Sequence, residues 1–299
     1  MPHTSYIRRA TYAGSWYPGT SSEIALMLAS YTNVATNRYP GSKAVIVPHA
    51  GYAFSGSTAA YGFNCIDWTM AKTIIVLGPS HRSSFRNVAV SGASELETPL
   101  GNLAVDTSLA FELVSKHSSL FDFMSQRVDE SEHSLEMQFP FIKFFMSRMH
   151  ERHHDIKVLP LMVGHMNSDD QLRIGDALRD LANDQHTVFV VSSDFCHFGR
   201  RFGFTKVHDK PLPLHKRIED LDMEAIKAIK TMDHSDWELY LSRTGNTVCG
   251  ASPISLILIA LSQLGYQFHL LHYAQSSEAS SVDDASVSYV AGSFHSAFE

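Results

Sequence analysis

Three short apolar segments of this chain are each followed by a histidine, a side chain that binds metal ions and exchanges protons near neutral pH. Runs of four or five β-branched and aromatic residues are typical of buried strands. In open α/β sheets, ligands bind beyond the carboxyl ends of such strands. The sequence therefore predicts that these histidines converge on one site. The pairs are residues 44–47 with His49, residues 73–77 with His81, and residues 188–191 with His197.

His49 and His81 are separated by the ~30 residues that one βαβ unit takes. If their strands are parallel members of such a unit, both side chains leave the sheet at the same edge, on adjacent or near-adjacent loops. This spacing favours a shared metal site. The alternative is that each histidine caps its own strand by hydrogen bonding within its loop.

Asp194 and His197 follow the third strand. Asp194 is expected to accept a hydrogen bond from an imidazole N–H and so fix its tautomer. His197 has the chemistry of a general acid or base. Alternatively, Asp194 caps the next turn of the chain and His197 packs in a loop.

Cys249 lies just ahead of an apolar segment that is predicted to be a helix. A helix N-terminus lowers the pKa of a thiol and favours the thiolate. A thiolate near two imidazoles would bind zinc, copper or iron, or act as a nucleophile with a histidine base. The alternative is a buried, unreactive cysteine beneath the helix.

Five further residues are candidates for contact with a substrate or peptide. His133 and Glu136 are three positions apart and share a helix face. Tyr52 follows His49 closely, and the Trp16–Tyr17 pair is expected to line the mouth of a pocket or bind a peptide. Alternatively, Glu136 only stabilises a helix start and the aromatic pair holds the N-terminal arm against the body.

The elements that must position these residues alternate along the chain. After a first helix, the pattern predicts the order β-α-β-β-β-α-α-β-α-β-α-α-β-β, which indicates an α/β fold with a central mixed sheet flanked by helices. Helices are predicted at residues 21–31, 56–63, 107–116, 134–149, 168–181, 214–232 and 252–265. No linker or repeat divides the sequence, so we expect residues 1–299 to form a single domain.

Composition excludes several classes of function. The 299 residues are 44% hydrophobic, and their net charge of −7 argues against a nucleic-acid-binding protein. The three cysteines are widely spaced, which is typical of reduced thiols inside a cell. No secretory signal or membrane span is expected. Phosphate-binding glycine motifs and the G-x-S-x-G motif of serine hydrolases are absent from the sequence.

Seven short motifs, taken together and in order, resemble the Memo family (mediator of cell motility), most closely its eukaryotic members. They extend over nearly the whole chain. The motifs are AGSWY from Ala13, PHAGY from Pro48, LGPSH from Leu77, EHSLEM from Glu132, SSDFCH from Ser192, CG from Cys249 and YAQSS from Tyr273.

The resemblance implies a fold similar to that of class III extradiol dioxygenases, which hold iron with two histidines and a carboxylate. By motif, His49 and His81 match the two histidine ligands, and Cys249 falls where the carboxylate is expected. His197, with Asp194 beside it, resembles the acid/base histidine of those enzymes. The implied cofactor is an iron or copper ion, with zinc as a further candidate. A thiolate ligand is soft and oxidisable, so ordinary ring-cleaving dioxygenase activity is not expected and turnover is left open.

The resemblance also implies a role in redox and cell-motility signalling downstream of receptor tyrosine kinases. Implied partners are a phosphotyrosine-containing receptor tail or cytoskeletal and redox signalling proteins, in the cytoplasm and also in the nucleus. Two alternatives stay open. One is a non-enzymatic adaptor that binds phosphotyrosine peptides in the same cleft. The other is a hydrolase with Cys249 as nucleophile and His49 or His81 as base.

Overall fold

Strong hydrophobic patterning produces a layered α/β structure in the computed structural model, which describes residues 5–36, 39–149 and 156–297. The strands are β1 (Tyr6–Arg8), β2 (Ala44–Val47), β3 (Thr73–Pro79), β4 (Val88–Val90), β5 (Ala93–Leu96), β6 (Leu103–Ala104), β7 (Phe121–Phe123), β8 (Lys157–Val163), β9 (Thr187–Ser192), β10 (His197–Phe198), β11 (Tyr266–Gln275) and β12 (Ser286–Ser296). The helices are α1 (Ser21–Val34), α2 (Tyr52–Phe63), α3 (Thr107–Lys116), α4 (Gln126–Ser131), α5 (His133–Glu136), α6 (Phe139–Ser147), α7 (Ser168–Asn183), α8 (Leu214–Lys230), α9 (His234–Thr244) and α10 (Ala251–Leu261).

The main sheet joins nine strands of the described chain in the order β10-β12-β2-β9-β3-β8-β4-β7, with β11 paired to β12. Its centre is parallel: β2, β9, β3 and β8 run in the same direction. The flanking strands β12 and β4 are antiparallel to this centre, so the sheet is mixed as expected. Because β9 lies between β2 and β3, all three histidine-bearing strand ends meet at one edge.

Helices cover both faces of this sheet because the central strands are apolar on both sides. Val45 and Val47 of β2 face a core that also contains residues of α1, α2 and α6. Ala44 and Ile46 face the opposite core, which contains residues of α3 and of α7 to α10. This arrangement confirms the predicted α/β class.

Several element boundaries differ from the predictions. The predicted helix at residues 134–149 is two helices, α5 and α6. Pro140 lies in the first turn of α6, where its missing N–H costs no hydrogen bond. The predicted helix at 214–232 ends at Lys230, and the following helix α9 was not predicted. Strands β1 and β5 of the small sheet were not predicted, because strands of three and four residues carry little periodic signal.

No helix in the described ranges is both long enough and apolar enough to cross a membrane.

Candidate functional site

The imidazole of His49 is held by the end of the neighbouring strand. Its Nδ1 lies 2.7 Å from Oγ of Ser192, the last residue of β9. That hydroxyl donates its own hydrogen to the carbonyl of Ser134 at 2.7 Å and accepts from Nε2 of Gln138 at 2.9 Å. Nδ1 of His49 must therefore be the donor, which leaves a lone pair on Nε2.

Glu132 orients His81 through both the backbone and the side chain. Its carboxylate accepts the His81 backbone N–H at 2.6 Å and lies 2.9 Å from the His81 Nδ1. Since an ionised carboxylate can only accept, Nδ1 carries the proton and Nε2 has the lone pair. Burial opposes ionisation of Glu132, but the His81 hydrogen bonds and charge outweigh it and lower the pKa of this carboxyl to about 2. A carboxylate behind a histidine is the usual outer partner of a metal-binding imidazole.

Cys249 lies in the loop between α9 and α10, and this loop packs against the segment that follows β9. Its backbone N–H donates to the carbonyl of Asp194 at 3.3 Å, and its Sγ lies 3.1 Å from Nε2 of His49. Gly250 allows this approach, because a Cβ there would lie 2.3 Å from Cβ of Ser193. The cysteine is therefore placed against His49 by a close backbone contact.

The predicted lowering of the Cys249 pKa is wrong. Burial and the nearby Asp194 carboxylate raise the pKa of the thiol well above its ordinary value. Burial, which disfavours the charged form, lowers the pKa of His49 well below its ordinary value. The short contact between them therefore joins a neutral thiol to a neutral imidazole, not an ion pair.

The three side chains His49, His81 and Cys249 form one compact donor set. One ligand atom from each lies within 4.8 Å of the other two. Bond lengths of about 2.0–2.1 Å to nitrogen and about 2.3 Å to thiolate sulfur place donors at such separations around a common ion. Two imidazole nitrogens and a sulfur at these separations fit a transition-metal ion.

A cavity of about 420 Å³ opens above this donor set. His197 and Asp194 lie on one side of it, and Trp16, with His133, on another. The described lining residues are Ser15, Trp16, His49, Ala50, Gly51, Phe54, His81, His133, Asp194, His197, Phe202 and Val287. The volume is in the range of small-molecule and side-chain binding sites.

Asp194 does not fix the tautomer of His197, contrary to the expectation. Its buried carboxylate accepts the backbone N–H of His49 at 2.9 Å. Nδ1 of His197 instead lies 2.9 Å from the Phe195 carbonyl and 3.1 Å from the Thr247 carbonyl. Because carbonyls only accept, Nδ1 is protonated and Nε2 is the basic nitrogen that is left for the cavity.

His133 contributes a further imidazole to the cavity. Its ring centroid lies 4.5 Å from that of His81 and 4.6 Å from that of Trp16. Burial, followed by the positive charge of His81, lowers the pKa of His133 to about 4. His133 is thus a neutral imidazole beside the donor set, and Trp16 covers it.

Tyr17, Tyr52 and Glu136 lie beneath the cavity and are not among its described lining residues. The hydroxyl of Tyr17 donates to Glu136 at 2.8 Å, and that of Tyr52 donates to the Met137 carbonyl at 2.7 Å. All three are buried. Direct contact of these groups with a peptide, as the sequence suggested, would require them to leave these hydrogen bonds.

Arg8 connects the N-terminal arm to this region and was not recognised from the sequence. The guanidinium is fully buried and pairs with Asp129 at 2.8 Å and with Glu136 at 2.6 Å. It also donates to the carbonyls of Asp129 and Glu132, both at 2.8 Å. Arg8 thus fixes the backbone of Glu132, the residue that orients His81.

A second buried network holds the segment after β9 from the opposite side. The Asp222 carboxylate accepts from the Cys196 backbone N–H at 3.2 Å, from Asn246 Nδ2 at 3.1 Å and from the Tyr273 hydroxyl at 3.0 Å. Burial raises the pKa of Asp222 to about 6 despite these hydrogen bonds. This network fixes Cys196 and therefore the neighbouring His197.

Several residues that build the site were not identified as members from the sequence. Glu132 stood in a noted motif, but nothing in its spacing shows that it contacts a histidine in a different loop. Ser192 follows an apolar strand, and a hydroxyl at a strand end is a weak signal. Phe54 and Phe202 line the cavity although they are 63% and 36% exposed, and exposed aromatic residues cannot be assigned to a pocket without a fold.

The fold and this site define an α/β protein with a histidine-lined cleft at the carboxyl edge of its sheet and a cysteine in contact with one of those histidines. A family model described as "Memo-like protein" matches residues 8–293. The chain is 38% identical to the MEMO1 family protein MHO1 of Saccharomyces cerevisiae, over 96% of this chain and 98% of that protein. It is 34% identical to Protein MEMO1 of Mus musculus, over 98% of both chains.

The chain therefore belongs to the Memo-like family, as its motifs indicated. Among solved structures it is similar to an uncharacterized protein, JW3007, from Escherichia coli K12. That match has 15% identity and a TM-score of 0.45, and covers 82% of this chain and 98% of the other.

Replacing Arg8 is expected to destabilise the protein strongly. Arg8→Met leaves the carboxylates of Asp129 and Glu136 buried without their cation, which costs about 3–5 kcal/mol. The neighbouring Arg9 is the matched control, since its side chain is 69% exposed and its pair with Glu97 is 3.7 Å long. Arg9→Met should change the free energy of unfolding by less than about 0.5 kcal/mol. Urea denaturation of both variants measures this, and equal effects would contradict the assigned role of Arg8.

Asp222 is expected to make stability depend on pH. Its folded-state pKa, about 6, lies above the ordinary value of 3.8, so the folded protein holds this proton more tightly than the unfolded chain. The resulting stabilisation is present below about pH 4 and is lost as pH rises through about 6. The free energy of unfolding of Asp222→Asn minus that of the wild type should therefore increase by about 3 kcal/mol as the pH rises from about 4 to about 7.

Chemical denaturation across this pH range gives the difference between the two proteins. Asp220→Asn is the control, because Asp220 lies on the same helix with a partly exposed side chain. A difference between Asp222→Asn and the wild type that does not vary with pH would show that Asp222 is ionised throughout.

Proposed function

We propose that this Memo-family protein binds an iron or copper ion through His49, His81 and Cys249, with zinc as the competing ion. The proposed cellular role is redox and cell-motility signalling downstream of receptor tyrosine kinases, in the cytoplasm and nucleus. That role rests on the family resemblance. The metal site rests on the geometry of the donor set.

One observation carries the metal proposal: three donor atoms, two imidazole nitrogens and one cysteine sulfur, lie within 4.8 Å of one another. In addition, Nδ1 of each histidine is occupied by an oxygen partner, Ser192 for His49 and Glu132 for His81. Histidines that only cap their strands would not need a ring nitrogen of each to lie so close to the same cysteine sulfur. This combination of converging ligands and outer hydrogen bonds is typical of protein metal sites.

The donor types narrow the choice of ion. Two imidazoles and a thiolate are softer than the two-histidine, one-carboxylate set of iron oxygenases, and they favour copper or zinc while still accepting iron. Cys249 must lose its proton to bind, because its pKa is raised in the metal-free site. Bound iron or copper would supply one-electron redox chemistry at the cavity.

The surrounding side chains determine what can reach the donor set. His197 presents a basic Nε2 to the cavity, so it can hold or accept a proton there. Trp16 and His133 form an aromatic wall that excludes water from one side. We propose that these groups orient a small ligand rather than bind the ion.

A hydrolase with Cys249 as nucleophile is less well supported. Such an enzyme needs a thiolate paired with a protonated histidine. Here burial raises the pKa of Cys249 and lowers the pKa of His49, so both partners are neutral. The contact of 3.1 Å between them therefore favours joint metal binding over nucleophilic attack.

Elemental analysis of protein purified under reducing conditions, without added metal, tests the proposal. The wild type is expected to carry about one iron or copper ion per chain, and His49→Ala, His81→Ala and Cys249→Ser should each lower metal affinity by at least about tenfold. His186→Ala is the control, because that imidazole bonds the Met70 carbonyl, away from the cavity. Binding that is unchanged in the three site variants would refute the metal site.

A peptide-binding role is the second candidate, favoured by the rim of the cavity. Phe54 and Phe202 expose aromatic rings beside Trp16, and the Arg201 guanidinium lies 5.9 Å from the centre of the Phe202 ring. Aromatic and cationic groups in one cleft suit a phosphorylated tyrosine. An adaptor of this kind would need no turnover.

Calorimetry with one tyrosine peptide in phosphorylated and unphosphorylated forms tests this role. The phosphorylated form should bind about tenfold more tightly, because the charge on its phosphate adds to ring stacking. Trp16→Ala should weaken both forms, whereas Leu26→Ala, an exposed apolar residue on α1, should weaken neither. Equal affinities for the two forms would contradict phosphotyrosine recognition.

A further inference from the structure

A second cavity borders the amino ends of the central strands, at the opposite edge of the sheet from the histidines. Its volume is about 410 Å³. The described lining residues are Pro40, Gly41, Ser42, Lys43, Asp67, Met70, Ala71, Gln185, Thr187, Val188, Tyr266 and Ser296. The proposed metal and peptide sites use none of these residues.

Lys43 is the one amine among these lining residues, and it is held firmly. It directly precedes β2, and its backbone N–H and carbonyl bond to Phe294 and Phe189 at 2.9 and 3.0 Å. The residue is only 6% exposed, which is rare for lysine. Nζ donates to the carbonyl oxygen of Asp184, which is a neutral acceptor rather than a carboxylate.

This environment changes the protonation of the amine. Burial lowers the pKa of Lys43 to about 8, partly opposed by the charge of the Asp184 side chain. At about pH 7.5, roughly a quarter of such amines are neutral, against about one in a thousand for an ordinary lysine. Only the neutral amine is a nucleophile. Lys43 is therefore a fixed side chain beside a cavity, and a substantial fraction of its amine is in the reactive form.

We infer that Lys43 is a modification site whose amine accepts small neutral acyl groups from thioesters that enter this cavity. The neutral amine attacks the thioester carbonyl, a C–N bond forms and the C–S bond breaks. The sulfur leaves with the bonding electron pair, and the proton from nitrogen passes to it through solvent. The step needs neither an oxidant nor a reductant, and the product is an amide on Nζ.

The acylated side chain fits the same surroundings. Its amide N–H keeps one donor for the Asp184 carbonyl, and the cavity has room for the acyl group. Among the described residues, the titratable groups are Asp184 after α7, whose charge acts on Lys43, and Asp67 after α2 and Tyr266 at the start of β11, which line the cavity. The imidazole of His186 turns to the Met70 carbonyl. Two acidic side chains favour a neutral acetyl group over a succinyl group, which carries a carboxylate.

Acylation kinetics of the intact protein test this inference. The probe is the acetyl thioester of N-acetylcysteamine, and mass spectrometry of peptides gives the rate at each lysine. Lys72 and Lys157 are internal controls, because they are exposed at the same edge of the sheet, immediately before β3 and at the start of β8. At about pH 7.5, Lys43 should react about tenfold faster than either.

The pH profile and the folded state provide two further readouts. The Lys43 rate should level off above about pH 8.5, while the rates of the exposed controls continue to rise towards about pH 10. In concentrated urea the advantage of Lys43 should disappear. A Lys43 rate no higher than that of Lys72, or an advantage that survives unfolding, would overturn the inference.

The charge of the cavity is tested with a second probe. The succinyl thioester should acylate Lys43 at least about fivefold more slowly than the acetyl thioester, after normalisation to Lys72. Asp67→Asn should lower the ratio of the acetyl rate to the succinyl rate at Lys43. Equal reaction with both thioesters in the wild type would refute the preference for neutral acyl groups.

Discussion

The hydroxyl of Ser192 is the interaction on which the geometry of the site depends. It accepts from Nδ1 of His49 and from Gln138, and it donates to the carbonyl of Ser134. One buried group thereby connects the end of β9, the loop after β2 and the helices α5 and α6. Because the Ser192 hydroxyl hydrogen is donated to Ser134, the hydroxyl oxygen can only accept from Nδ1 of His49. This hydrogen bond fixes the His49 tautomer with its proton on Nδ1.

His81 reaches the same point through a different network. Arg8 holds the carbonyl of Glu132, and the Glu132 carboxylate holds both the backbone and the ring of His81. The first histidine is therefore oriented by a neutral hydroxyl and the second by an ionised carboxylate. In both rings Nδ1 is held by an oxygen partner, so the protein itself orients the two imidazoles.

The sequence predicted the parts of the site that local patterns control. Apolar runs located the ends of β2, β3 and β9, and therefore His49, His81 and His197. The placement of β9 between β2 and β3 could not be derived, because strand order depends on long-range packing. For the same reason the buried roles of Tyr17, Tyr52 and Glu136 were missed, since a tyrosine that lines a pocket and one that bonds a buried carboxylate look alike in a sequence.

The protonation of Cys249 shows where reasoning from a single element fails. A helix N-terminus acts within about one turn, and α10 begins only two residues after the cysteine, so some lowering of its pKa was expected. At this distance burial and the Asp194 carboxylate outweigh the helix, and the pKa of the thiol rises. The motif located the cysteine correctly near His49, whereas its charge is set by groups from other loops.

Two missing Cβ atoms are as necessary to this site as the donors themselves. A Cβ at Gly78 would lie 2.7 Å from the Ser134 hydroxyl oxygen, and a Cβ at Gly250 would lie 2.3 Å from Ser193. The first glycine lets α5 lie against β3, so that Glu132 reaches His81. The second lets the Cys249 loop lie on β9 from the opposite face. Any larger residue at either position would push its loop away from the carboxyl edge of the sheet. The position of the cleft therefore depends on these two close backbone contacts as well as on the residues that line it.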